Sequence, residues 1–422
     1  MRVSHISWNL VGLGLPLVIA VVTVPHLLEA LGNQRFGLLA LAWGLIGYAG
    51  ALDLGIGRAT TQRISALRDG HGEGDVPHVL ATATRLTLLT GGVAMLLIGL
   101  AAWLGAGELA HADEVPFAEM QAAIFLLALA LPMQAVSATY RGVSEAYLSF
   151  RNINVLRIGL GAANFGLPYL ISLYSTRVDF LVASLVISRA LALWFFRVFA
   201  LQCMSVNNPK IRGNYSSTIA RQLFEFGGWY TVSSILSPLM VQADRFFIAA
   251  LIGASAVTVY VIPYEMAVQA LILSSAVTTV AFPAISRLLV VDHNGAMLLF
   301  RRWLYRIAVI MVAAMGFLAL ILPDLLSLWL HRPADPISVA VGRILCVGVV
   351  ANAIGAMFFA LLHARGRTKA TALLHLVEFP VFIGLLVTLI RVFGVQGAAM
   401  AWALRVLFDA VGLAVMARAN AR

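Results

Sequence analysis

Residues 229–253 read WYTVSSILSPLMVQADRFFIAALIG, and after a short break residues 257–283 read VTVYVIPYEMAVQALILSSAVTTVAFP. Each run is long enough to cross a bilayer, which takes about 20 predominantly apolar residues in a helix. Asp244 and Arg245 lie inside the first run, and Glu265 lies at a matching depth in the second. A charge at the centre of a membrane helix costs about 2.5–3.5 kcal/mol on insertion scales, so such groups face a partner or a watery cavity. The pair predicts two neighbouring transmembrane helices with ionisable groups in the outer third of each. Paired runs also open the chain, which makes this stretch one half of a repeat.

The composition extends that reading to the whole chain. Of its 422 residues, 61% are hydrophobic and 11% charged, with a mean hydropathy of +0.92. A soluble domain has about 25% charged residues, so the sequence describes a polytopic, all-α membrane protein. The net charge of +10 need not mean nucleic acid, since cytoplasmic loops and anionic lipid account for a basic balance in membrane proteins. Cys203 and Cys346 are isolated, which predicts neither a disulfide framework nor a metal site. No small-residue cleavage site follows the N-terminus, so no removable signal peptide is expected.

Twelve candidate spans follow: 7–30, 36–57, 80–104, 117–140, 153–174, 179–201, 224–251, 256–283, 303–330, 337–362, 371–390 and 396–417. Pro168 is expected to interrupt span 5, and Pro283 to end span 8. With both termini inside, 21 of the 29 basic residues fall in cytoplasmic segments. Only Arg35, Arg177, Arg332 and Arg391 fall outside, while Arg189, Arg245, Arg343 and Arg405 lie within spans. This asymmetry is the positive-inside signal, and the outer run Glu108, Asp113, Glu114 and Glu119 agrees with it.

At an offset of 221, Trp8 matches Trp229, Gly32 matches Gly253, Ile64-Ser65 match Ile285-Ser286, and Arg85 matches Arg306. These matches predict two parallel six-helix lobes, residues 1–201 and 223–422, joined by a cytoplasmic linker at 202–222. Transporters often place their site between such repeats, near the midplane.

Several residues are candidates for that site. Tyr230, Ser233, Ser237 and Asp244 share one face of span 7, with Gln242 and Arg245 beside it, and Glu265 and Gln269 stand one turn apart on span 8. One reading makes the charges an interhelical salt bridge. The other turns Arg245 toward a cavity, where its planar fork would match the oxygens of an anionic headgroup. Span 1 aligns Asn9, Pro16 and Thr23, with His26 a turn beyond, and span 2 offers Gly44, Gly47, Tyr48 and Asp53. These residues serve either close helix packing or a hydrated path. His375 and Glu378 on span 11, with Arg405 and Asp409 on span 12, suggest a buried charge network. Arg189 and Arg343 have no evident partner, and Arg343 is expected to snorkel outward. No Gly-rich phosphate loop, HExxH or Cys/His cluster at ligand spacing is present. The short outer loops also favour a carrier over an enzyme, and no cofactor is expected.

The stretch Leu31-Gly32-Asn33-Gln34-Arg35-Phe36-Gly37-Leu38, followed by Tyr48 and Leu52-Asp53-Leu54-Gly55-Ile56-Gly57, resembles the polysaccharide-transporter family of Wzx-like O-antigen flippases. Gly253 to Tyr260, Arg141-Gly142 to Asn154, and Gly394-Val395-Gln396-Gly397-Ala398-Ala399 fit the same resemblance. The family belongs to the multidrug/oligosaccharidyl-lipid/polysaccharide superfamily, so the resemblance implies a MATE-like architecture in a bacterial inner membrane. It implies as cargo an undecaprenyl-pyrophosphate-linked oligosaccharide, an O-antigen or exopolysaccharide repeat unit, flipped from the cytoplasmic to the periplasmic leaflet by alternating access. Arg245, Asp244, Glu265, Gln269, Asn9, His26 and Ser237 would then bind it. Implied partners are membrane lipids, a coupling cation (H+ or Na+) and polysaccharide polymerase components, with no nucleic acid. The alternatives are a drug/cation antiporter of the same superfamily or a non-transporting membrane component of polysaccharide assembly. Such antiporters often carry an acidic residue within span 1, where this chain has only Glu29 at the outer end. A lipid II flippase typically has fourteen spans, two more than are read here.

The arginine asymmetry makes a topological prediction. Reporter fusions after Leu104 and Leu330 should both read periplasmic, and a cytoplasmic signal at both would overturn the orientation.

Overall fold

A hydrocarbon solvent offers no hydrogen bonds, so a segment that crosses it must satisfy its own backbone, and a helix does so within one segment. The computed structural model describes residues 3–49, 55–69, 73–105, 112–147, 149–205, 213–275, 285, 288, 292–365 and 367–418, without the side chains of several stretches, among them 3–17, 48–49 and 224–239. Among the described residues the chain is helical throughout, with no strand. The helices are α1 (Val3–Ala49), α2 (Ile56–Asp69), α3 (Val76–Trp103), α4 (Phe117–Ala146), α5 (Phe150–Ser172), α6 (Val178–Ser205), α7 (Ser217–Leu251), α8 (Ala254–Val268), α9 (His293–Leu330), α10 (Pro336–Ala364) and α11 (Thr368–Arg418). Eight helices among the described residues are long and apolar enough to cross a membrane.

Glycine makes the reversals. Gly32 (φ 69°, ψ 176°) bends α1 between the first two expected spans. Gly253 (φ 127°, ψ 169°) separates α7 from α8, and Gly394 (φ 59°, ψ −137°) bends α11 between the last two. Such backbone costs other residues about 1–3 kcal/mol. The sequence repeat that pairs Gly32 with Gly253 is therefore a repeat of hinges.

Proline lies inside helices without ending them. The expected break at Pro168 does not occur, because α5 runs through it from Phe150 to Ser172. A helical proline lacks the N–H that would bond the carbonyl four residues back. For Pro168 that carbonyl is Asn164 O, and Trp43 Nε1 of α1 donates to it at 3.0 Å. Pro263 in α8 likewise frees Val259 O, which accepts from Ser338 Oγ of α10 at 3.1 Å. Pro323 in α9 frees Ala319 O, which accepts from Arg343 Nε of α10 at 3.2 Å. Arg343 is therefore a cap for a broken helix bond as well as a charge at the margin.

The chain divides into two compact units, Met1–Leu239 and Met240–Arg422, a division that falls within α7. In the first unit α4 packs against α2, α3 and α6, and α1 against α5. Helix ends in this unit are clasped by Glu119, which sits buried in the first turn of α4, not in a loop. Its carboxylate accepts from Val178 N at the start of α6 (2.7 Å) and from Arg35 Nε (3.5 Å). In the second unit α10 is central, packing against α8, α9 and α11.

The proline pairing has a direct test. Ser338→Ala should lower thermal stability in detergent by about 1 kcal/mol, the scale of a side-chain hydrogen bond in a membrane interior. Adding Pro263→Ala restores the backbone donor and should recover that loss. A double variant no more stable than Ser338→Ala would refute the account.

Candidate functional site

In the second unit, the hinge at Gly253 brings the charged turn of α7 beside α8. Arg245 Nη2 donates to Glu265 Oε1 at 2.6 Å. The two partners sit in different surroundings. Arg245 is 4% exposed, whereas 48% of the Glu265 side chain is accessible. The guanidinium also lies 5.0 Å from the centre of the Tyr264 ring, whose electron-rich face attracts a cation.

Asp244 is fully buried. Its Oδ2 accepts from the Tyr260 hydroxyl, and its Oδ1 from the backbone N–H of Arg245 at 2.8 Å. Tyr260 stacks on Tyr264 with centroids 5.6 Å apart, and Tyr264 meets Trp402 edge-on at 5.8 Å. The aromatic column thus ties α8 to α11 and fixes Asp244 in place. One carboxylate is structural, and the other meets open space.

Both readings of this cluster have something in the structure. The ion pair across the two helices exists. It is formed by the exposed glutamate, however, and an ionised carboxylate that is half accessible in a membrane protein needs water beside it. Gln269 caps the C-terminal end of α8, one turn past Glu265. His26 belongs to the first unit, where it is exposed and its ring lies 5.9 Å from that of Tyr169 on α5. Asn9 and Ser237 lie on α1 and α7, but their side chains fall outside the described residues, as do those of Tyr48, Tyr230 and Ser233 and the whole of Asp53.

The charges expected on spans 11 and 12 do form a network, paired across the bend of α11. Arg405 Nη1 lies 3.5 Å from Glu378 Oε1, and His375 Nε2 lies 3.5 Å from Asp409 Oδ1. Arg405 also rests 5.4 Å from the Phe382 ring. Ligand atoms of His375, Glu378 and Asp409 lie within 4.8 Å of one another. Arg405 already holds a fixed positive charge against Glu378, so any cation would have to compete with it.

Residues 3–289 match the family described as polysaccharide biosynthesis protein. The chain belongs to this family. A Shigella flexneri protein provisionally assigned as an O-antigen transporter is 29% identical over 420 residues, covering 97% of this chain and 96% of the relative. Among solved structures, the lipid II flippase MurJ in an inward closed conformation superposes with a TM-score of 0.74 at 13% identity, over 97% of this chain and 87% of that one. An inward-facing multidrug resistance MATE family transporter of the MOP superfamily gives 0.72 at 14% identity, over 97% of both chains. The structural likenesses establish the fold: an all-α, multi-pass membrane protein of MATE-like architecture.

The sequence left Trp43 and Asn164 unmarked, although both fix polar groups within the first unit. The signal that could have found Asn164 is its place four residues before Pro168, which announces a carbonyl in need of a donor.

The unequal exposure of the carboxylates predicts an unequal rescue. Removing one partner of a buried pair typically costs about 3–5 kcal/mol, so Arg245→Ala should lower folded abundance and melting temperature. Adding Asp244→Asn, which removes the charge left buried, should restore part of the loss. Adding Glu265→Gln should not, because a solvated Glu265 needs no partner. Rescue by Glu265→Gln alone would refute this division of roles.

Proposed function

We propose that the chain translocates a lipid-linked oligosaccharide, an undecaprenyl-pyrophosphate-linked O-antigen or exopolysaccharide repeat unit, from the cytoplasmic to the periplasmic leaflet of a bacterial inner membrane by alternating access. The observation that carries this reading is the polysaccharide family match over residues 3–289 on a multi-pass helical fold. The O-antigen transport assigned to the Shigella flexneri relative supports the cargo. Both termini face the cytoplasm in this proposal, and the lobes at 1–201 and 223–422 move about the linker at 202–222.

The physical task is severe. Sugar hydroxyls and a pyrophosphate lose their water partners in hydrocarbon, at several kcal/mol per unmatched group. A carrier must replace those partners while the lipid tail stays in the bilayer. Arg245 has the geometry for phosphate oxygens, and its fork is held by Glu265. Cargo phosphate would therefore bind by displacing Glu265, which is already half accessible. The released carboxylate then takes up the coupling cation, H+ or Na+, so that cargo phosphate and Glu265 exchange on one guanidinium while the cation rides on Glu265. Gln269, Ser237, Asn9 and His26 supply further polar contacts along the path.

Deleting the gene should abolish a surface or secreted polysaccharide while lipid-linked repeat units accumulate on the cytoplasmic face. The readouts are surface polysaccharide on gels and leaflet-resolved labelling of the lipid-linked sugar. Normal export in a deletion strain without a second flippase would overturn the proposal.

A further inference from the structure

The first unit holds a cavity of about 420 Å³ between α1, α4, α5 and α6, within the size range of small-ligand sites. Three arginines from three helices line it: Arg141 of α4, Arg157 of α5 and Arg189 of α6. Among the described residues neither aspartate nor glutamate lines it. Arg141 has an acidic neighbour, Glu145, at 3.6 Å, one turn along its own helix. Arg189 is different. It is 8% exposed, its Nη2 donates to Asn164 Oδ1 at 2.8 Å, and its buried Nε has no hydrogen-bond partner among the described residues. Asn164 is neutral, so it orients the guanidinium without neutralising it.

The walls are pre-arranged. Trp43 is fixed by its bond to the carbonyl that Pro168 frees, and it packs on Phe165 with centroids 5.0 Å apart. Gln134 is held to α1 through Ile46 O at 3.4 Å. A buried cation without a counter-ion is costly, and two further arginines in the same cavity add repulsion. An anion with several oxygens would relieve Arg189 and Arg157 together, beside an Arg141 already paired with Glu145. Arg141 and Arg157 stand toward the arginine-rich end of the unit, which the charge asymmetry assigns to the cytoplasm; Arg189, midway along α6, marks the inner end.

We infer that this cavity is an anion site that receives the pyrophosphate of the lipid-linked cargo from the cytoplasmic side, with Arg157 meeting it first and Arg189 holding it. The inference rests on the flippase reading for the identity of the cargo, and places a second phosphate contact in the first unit, separate from Arg245 in the second.

The test uses the full chain in nanodiscs of phosphatidylcholine, with a polyprenyl pyrophosphate as probe and binding read by native mass spectrometry. Arg157→Gln and Arg189→Gln should each weaken binding about tenfold or more, the scale of a lost hydrogen bond to a charged group. Arg157 is exposed, so its variant keeps the test valid if Arg189→Gln folds poorly. Inorganic pyrophosphate should compete with the probe for wild-type protein. Unchanged affinity in a folded Arg157→Gln variant overturns the site. So does phosphatidylglycerol occupancy that the polyprenyl pyrophosphate fails to displace, which would make the cavity a structural phospholipid site. Arginine-dependent binding in a protein that does not flip lipid-linked oligosaccharide in liposomes would remove the flippase reading and leave the anion site standing.

Discussion

The structure depends on one constraint: a polar atom placed in hydrocarbon must find a partner inside the protein. Three helical prolines show it acting on the backbone. Pro168, Pro263 and Pro323 each free a carbonyl one turn earlier, and each carbonyl is taken by a side chain from another helix: Trp43, Ser338 and Arg343. The prolines are thus anchor points between helices. At these three positions a neighbouring helix supplies the missing donor.

The same constraint sorts the four arginines that fall within spans. Arg343 spends its Nε on a backbone carbonyl. Arg245 and Arg405 each pair with a glutamate and rest on an aromatic face, Tyr264 and Phe382 respectively. Arg189 pairs with a neutral amide. Charge is balanced at two of these sites; of the two arginines on neutral partners, Arg343 is exposed, whereas Arg189 is buried and borders a cavity lined by two more arginines. That difference is a physical basis for separating structural charges from binding charges, and exposure supplies a second. Glu378 is buried and the side chain of its arginine only 9% exposed, which is the condition of a lock, whereas Glu265 is half accessible, which is the condition of a group that can exchange partners.

Hinge glycines bring helices back beside one another. A positive φ at Gly32, Gly253 and Gly394 reverses a helix within one residue, so adjacent spans stay close enough for their side chains to pair. Arg245 reaches Glu265 across the reversal at Gly253, and Arg405 reaches Glu378 across that at Gly394.

The sequence by itself determined the class of the molecule. An apolar run of about 20 residues has few options in water, so the helical class and the membrane were legible, and Gly32 and Gly253 were marked as a matched pair, though not as hinges. It also named Asp244, Arg245 and Glu265 as a group, because charges in such runs are costly enough to be conspicuous. It could not say which carboxylate holds Arg245. That depends on the rotation of α7 against α8 and on whether Tyr260 reaches Asp244, distances of a few ångströms that helical spacing does not encode. Nor could it partner Arg189, Arg343 or Trp43, because their partners are backbone carbonyls and a neutral amide, which leave no charge pattern in the sequence. Tertiary packing alone decided those pairings, by bringing Trp43 and Arg343 to proline-freed carbonyls and Arg189 to a side-chain amide of another helix.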